Sequence, residues 1–117
     1  MAGQRLEQAH CDWFADEPIH DCTIGALLRA QAAALPQAEA LIEGLADGTT
    51  GRRWTYGALL RDSETLARAL AARFHPGERI AVWAQNIPEW EMLEFGVARA
   101  GMVIVTVNPG LVPVGMR

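Results

Sequence analysis

Lysine is missing altogether: all ten cationic side chains of this 117-residue chain are arginine. That excludes a Walker-type phosphate loop, which ends in Gly-Lys followed by Ser or Thr, and any catalysis that needs a lysine amine. Cysteine is scarce. Cys11 and Cys22 form no C-x-x-C pair and are too few for a disulfide framework. Acidic residues outnumber basic ones, and the net charge of −4 offers no general attraction to nucleic acid or to an anionic membrane, so neither is expected as a partner. No apolar run approaches the ~18 residues of a membrane-crossing helix, so no membrane span is expected. The opening MAGQRLEQAHCDWF lacks the apolar stretch of a signal peptide, so the expected compartment is cytoplasmic and the thiols are expected to stay reduced.

What is present is an ordinary globular composition, 50% hydrophobic and 21% charged. The length allows one domain at most, burying about two-thirds of its unfolded surface. The clearest pattern runs from Pro76 to Pro109. Pro76–Gly77 is a turn, and Arg79 to Ala84 is a short apolar run rich in strand formers. Asn86, Ile87 and Pro88 open a helix on which Trp90, Leu93, Val97 and Ala100 share a face. Gly101 closes that helix, and Met102 to Val107 is a second β-branched run. Strand, helix and strand of these lengths predict a βαβ unit with parallel strands and a right-handed crossover.

Upstream, residues 1–22 read as an irregular arm that docks through Trp13 and Phe14. The arm holds His10, Cys11, His20 and Cys22, which as residue types could bind zinc, but adjacent His10 and Cys11 cannot easily face one ion. Thr23 is placed to cap a helix to about Leu35, with Ile24, Leu27, Leu28, Gln31, Ala32 and Leu35 on a buried face. Glu39 to Glu43 and Arg53 to Thr55 read as short strands of a hairpin whose long turn is Gly44 to Arg52. Thr55 caps a helix from Tyr56 to about Phe74, with Leu59, Ser63, Leu66 and Leu70 along one stripe. Glu64 is expected to pair with Arg61 and Arg68 on its solvated side. His75 is expected as a helix-end group. Glu89, Glu91 and Glu94 are expected to face water and complement the helix dipole, and Trp83 and Trp90 to pack in the core.

The run GERIAVWAQNIPEWEMLEFGVARAGMVIVTVNPGL resembles the N-terminal region of acyl-adenylate-forming enzymes, the AMP-binding acyl-CoA synthetase family. WTYGALLRDSETLARAL resembles the helix that precedes it there. The resemblance runs from about Ile24 to about Leu111, and the wording at Trp83 and at Asn86–Ile87–Pro88–Glu89–Trp90 is most similar to fatty-acid or aromatic-acid CoA ligases. It implies an α/β fold: a partial N-terminal subdomain of an acyl-adenylate-forming enzyme, with a short β-hairpin and a parallel βαβ unit packed with helices. Residues 23–117 would be a truncated part of the AMP-binding N-terminal domain. It also implies, for the full-length enzyme, ATP, Mg2+ and coenzyme A, and activation of a carboxylic acid to an acyl-adenylate and then a CoA thioester.

Two places are candidates for a ligand-binding role. Asp47–Gly48–Thr49–Thr50–Gly51 is similar to the family's phosphate signature S-G-T-T-G-x-P-K, and glycine amides with threonine hydroxyls can cradle phosphate oxygens. Against this, Arg52 and Arg53 follow instead of the proline and lysine, the loop precedes the βαβ unit, and Asp47 adds a negative charge. A plain hairpin turn is the competing reading of Gly48, Thr49, Thr50 and Gly51. Asn108 follows the second parallel strand, where such sheets bind ligands, or it simply opens a turn with Pro109 and Gly110. No catalytic residue, metal ligand or cofactor is assigned to this chain. The family's phosphate loop and catalytic lysine would lie beyond Leu111, so the chain is expected to be a truncated product, inactive alone. Its apolar last strand is expected to lack cover on one face, so it would self-associate there or need the missing remainder of the synthetase as a second chain. A non-catalytic α/β module that binds a ligand or docks on a partner is the alternative.

Overall fold

The structure, a computed structural model, describes residues 20–110. Seven elements follow one another: α1 (Ile24–Ala34), β1 (Glu39–Gly44), β2 (Thr50–Thr55), α2 (Tyr56–Ala71), β3 (Arg79–Trp83), α3 (Pro88–Arg99) and β4 (Val103–Val107). β1 and β2 form an antiparallel hairpin, and β3 and β4 a separate parallel pair joined through α3. This is the α/β plan expected from the sequence. α2 packs against α1, α3 and both hairpin strands, and α3 against β4 and β1.

Local chemistry sets the element ends. The Thr23 hydroxyl accepts the Ala26 N–H at 3.2 Å and the Thr55 hydroxyl accepts that of Ala58 at 3.2 Å, so α1 and α2 start on side-chain caps. α3 starts on Pro88, whose missing N–H would have had no helical partner. It ends at Gly101, which takes φ +71°. There the Met102 N–H reaches the Val97 carbonyl at 3.0 Å and the Gly101 N–H that of Ala98 at 3.2 Å, the paired bonds that let a left-handed glycine close a helix.

The core gathers Leu28 and Ala32 from α1, Leu59 from α2, Val97 from α3, Val82 from β3 and Met102. Ser63 is buried among them, and its hydroxyl donates to the Leu59 carbonyl at 2.6 Å, so its polarity is satisfied. α2 and α3 meet closely at Gly96, where an added Cβ would stand 3.0 Å from the Leu66 side chain.

Several expectations need correction. In α1 only Gly25, Leu28 and Ala32 are buried, while Ile24, Leu27 and Leu35 are exposed. α1 rests mainly on α2 and α3 among the described elements, so only a narrow strip of it is covered. β2 begins at Thr50 rather than Arg53, because pairing continues to Gly44 opposite Thr50, past irregularities in register. α2 stops at Ala71, and Phe74 lies beyond it, 38% exposed. Past Ala71 the chain turns, the Arg73 N–H reaching the Leu70 carbonyl at 2.9 Å, and Pro76 keeps His75 from resuming helical geometry. Trp83 is 57% exposed instead of packed in the core, because its position on β3 points away from the buried Val82. Glu64 pairs with Arg99 of α3, not with Arg61 or Arg68.

Candidate functional site

The glycine-threonine loop is a hairpin turn. Leu45 and Thr49 close it, the Leu45 N–H donating to the Thr49 carbonyl at 2.9 Å, and Gly48 inside it takes φ +82°. Asp47 organises the turn. One of its carboxylate oxygens accepts the Thr49 N–H at 2.9 Å and the Thr49 hydroxyl at 2.6 Å, and these bonds hold the Asp47 carboxyl below its usual range. The amide and hydroxyl that a phosphate would use are therefore spent on a carboxylate, whose charge also repels phosphate. Thr50 and Gly51 belong to β2, where the Glu43 carboxylate lies 2.7 Å from the place of a Gly51 Cβ. This segment does not fit a nucleotide phosphate or its magnesium ion.

Asn108 follows β4 and is exposed, and its side-chain oxygen accepts the Gly110 N–H at 2.8 Å, an Asx turn. His10 and Cys11 lie outside the described residues. His20 and Cys22 are exposed, and among the described residues no three metal-capable side chains come together. The His75 N–H and ring Nδ1 lie 2.8 and 2.9 Å from the Glu78 carboxylate, which places His75 in the turn before β3. No helix among the described residues is long and apolar enough to cross a membrane.

Beyond the C-terminal end of β3 the hairpin and α3 enclose a cleft of about 530 Å³. Leu41, Ile42, Ile87 and Trp90 form its apolar walls, and Asn86, Glu43 and Glu91 its polar ones. This is the end of a parallel pair at which α/β sheets receive ligands. The cleft offers apolar surface, one amide and two carboxylates, and no nucleophile paired with a base. A second cleft, of about 640 Å³, lies where α1, α2 and α3 meet, with Arg29, Arg68 and Arg99 around it.

Two arginine junctions, unread in the sequence, hold these walls together. Arg52 on β2 reaches across the hairpin to Glu43, at 2.8 and 2.9 Å, and on to Glu89 in the first turn of α3. Its guanidinium also stands 5.3 Å from the centre of the Trp54 ring. The hydrogen bonds from Arg52 draw the Glu43 pKa down to about 2 and lower that of Glu89, so Glu89 has a partner that its helix position alone did not reveal. Arg99 on α3 donates to Glu64 at 2.6 Å and to the Gly25 carbonyl at 3.1 Å, tying three helices at one guanidinium. A β2 read from Thr50 would have put Arg52 across the hairpin from Glu43. No sequence signal joins Arg99 to residues so distant along the chain.

These walls, the hairpin and the βαβ unit recur in known proteins. The model of the AMP-binding enzyme family matches residues 28–117. The chain belongs to that family. It is 31% identical over 105 residues to the mitochondrial medium-chain acyl-CoA ligase of Danio rerio, covering 89% of this chain and 17% of that protein. It is 38% identical over 91 residues to an acyl-CoA ligase of Ajellomyces capsulatus, covering 77% and 15%. The fold superimposes on a fatty acyl CoA synthetase of Mycobacterium tuberculosis with TM-score 0.66 and 29% identity, over 76% of this chain and 17% of that one. On the N-terminal domain of FACL13 from the same species the TM-score is 0.67 with 28% identity, over 77% and 22%. The chain thus spans about one-sixth of the length of the curated acyl-CoA ligases it matches. Within this AMP-binding family its described part has the fold of their N-terminal domains.

Proposed function

We propose that this chain is N-terminal scaffold of an AMP-forming acyl-CoA synthetase and performs no chemical step alone. Residues 23–117 are its share of the AMP-binding domain, and most of the preceding segment, 1–19, lies outside the described residues. In the whole enzyme a carboxylate oxygen attacks the α-phosphorus of ATP, pyrophosphate leaves, and coenzyme A thiolate then displaces AMP from the acyl carbon. The acid is a fatty or an aromatic one, in keeping with the medium-chain and fatty acyl ligases among its relatives. The residues described here supply position: the hairpin, α3 and the cleft between them stand at the strand ends, while ATP, Mg2+ and coenzyme A are held by other parts of the enzyme.

One observation carries the reading. A chain matched by the AMP-binding family over residues 28–117 has no lysine, and its single glycine-threonine loop is closed on Asp47. The test is ATP–pyrophosphate exchange with octanoate and with benzoate. The chain alone should stay at background, and the chain joined to the rest of a relative's synthetase should exchange with one acid or the other. Exchange by the chain alone that Gly48→Pro abolishes would overturn the scaffold reading.

A further inference from the structure

The cleft where α1, α2 and α3 meet gathers positive charge in a chain whose net charge is negative. Its volume is about 640 Å³, and among the described residues Arg29, Arg68 and Arg99 line it with Glu64 as the one acid. Arg99 is the covered member, its side chain 12% exposed and its guanidinium held by Glu64 and the Gly25 carbonyl. Gly25 leaves the space for that stem, since a Cβ there would stand 2.8 Å from the Arg99 Cγ. This capture of Glu64 has a consequence for Arg68. Arg68 follows Glu64 by one turn of α2 and would ordinarily take its carboxylate. Instead it donates to the Thr65 hydroxyl at 3.1 Å. Arg52, Arg53 and Arg61 each stand beside a carboxylate, whereas Arg29 and Arg68 enter no ion pair among the described residues.

We propose that this cleft binds a phosphate monoester on a small hydroxylated body, a sugar phosphate. Charge points to the phosphate. Three guanidinium groups against one carboxylate leave two positive charges without a counter-charge, and a phosphate monoester near neutral pH carries about two negative ones. A guanidinium fork pairs with two oxygens of one anionic group. A monoester has three terminal oxygens to share between the forks of Arg29 and Arg68, where a carboxylate has two. Space and polarity point to the body. The cleft is larger than a bare phosphate needs, because Ala26, Ala67 and Ala98 leave it open, and Ile24 is its one larger apolar side chain. The Thr23 hydroxyl accepts the Ala26 N–H and keeps its own proton to donate. Such walls suit a sugar better than an acyl chain or an aromatic ring.

The test titrates the 117-residue chain with ribose 5-phosphate, followed by calorimetry and by amide chemical shifts. Saturable one-to-one binding is expected, with the shifts centred on residues 23–29, 64–68 and 98–101, and ribose itself should not bind. Arg29→Gln and Arg68→Gln should each weaken binding about tenfold with circular dichroism unchanged. Arg73→Gln removes an exposed arginine outside the cleft and should leave the affinity as it was. Absence of binding overturns the proposal. Equal losses from all three substitutions also overturn it, since they would report the general field of the chain and not a site. Inorganic phosphate bound as tightly as the ester would reduce the cleft to a place for an adventitious ion only. Binding to phosphatidate vesicles in place of ribose 5-phosphate would overturn the sugar body and give the phosphate a lipid source.

Discussion

Val82 and Val105 are the same residue type on partnered strands of one small sheet, yet one is 7% and the other 39% exposed. The difference lies in which side of the pleat each occupies, and it separates what the described residues hold by themselves from what they leave open. On the side of Val82 the strands, α3 and the packed helices make a core with its polar groups paired. On the side of Val105 the same kind of side chain stays largely uncovered among the described residues. Apolar residue choice therefore does not report burial here; the position of the crossover helix does.

The comparison can be broken from the buried side first. Leu59→Ala, at a 4% exposed position of α2, should cost about 2–5 kcal/mol, read from urea unfolding, because the cavity cannot fully collapse. Val82→Ala should cost about 2 kcal/mol through lost apolar burial. In the same titration Val105→Ala should stay within about 0.5 kcal/mol, and equal losses at the two valines would erase the distinction between the faces. Arg99→Gln should fall between those limits, at about 1.5 kcal/mol, since it leaves the Gly25 carbonyl and the Glu64 carboxylate without their partner.

A modest effect is expected at the exposed junction. Arg52→Gln should lower the melting temperature by a few degrees at neutral pH. The pKa of Glu43 is depressed in the folded chain, from 4.5 to about 2, so the stability this pair contributes is fully present above the higher value. It is lost as the pH falls through the lower one. Melting curves of the two proteins should accordingly converge over that acid range. A gap that persists at pH 2 would mean Arg52 acts through its packing on Trp54 instead.

Much of the fold was legible in advance. Thr23, Thr55, Pro88 and Gly101 each bear a local signal for a helix end, and each signal depends on a few neighbouring atoms. The antiparallel and parallel pairings followed from element lengths and connection types. The misreadings came from longer range. Trp83 carries the composition of a core residue, but parity on β3 turned it outward. Glu64 has suitable arginines one helical turn away, and a third arginine on another helix took it. Of the candidate ligand-binding places, Asn108 and the Asp47–Gly51 loop could be located from sequence. The cleft lined by Leu41, Ile42 and Trp90 could not, since its walls come from elements far apart in the chain.

By itself the sequence determined the element order, the capping of the helices, the absence of lysine chemistry and the resemblance that the family match established. These depend on residue type and near neighbours. Only the tertiary structure decided that Asp47 consumes the amide and hydroxyl of Thr49, that Arg52 and Arg99 each join elements remote in sequence, and that, among the described residues, one face of the parallel pair is more covered than the other. Such outcomes depend on which surfaces meet once the elements pack, and meeting is a property of three-dimensional placement that no local pattern carries.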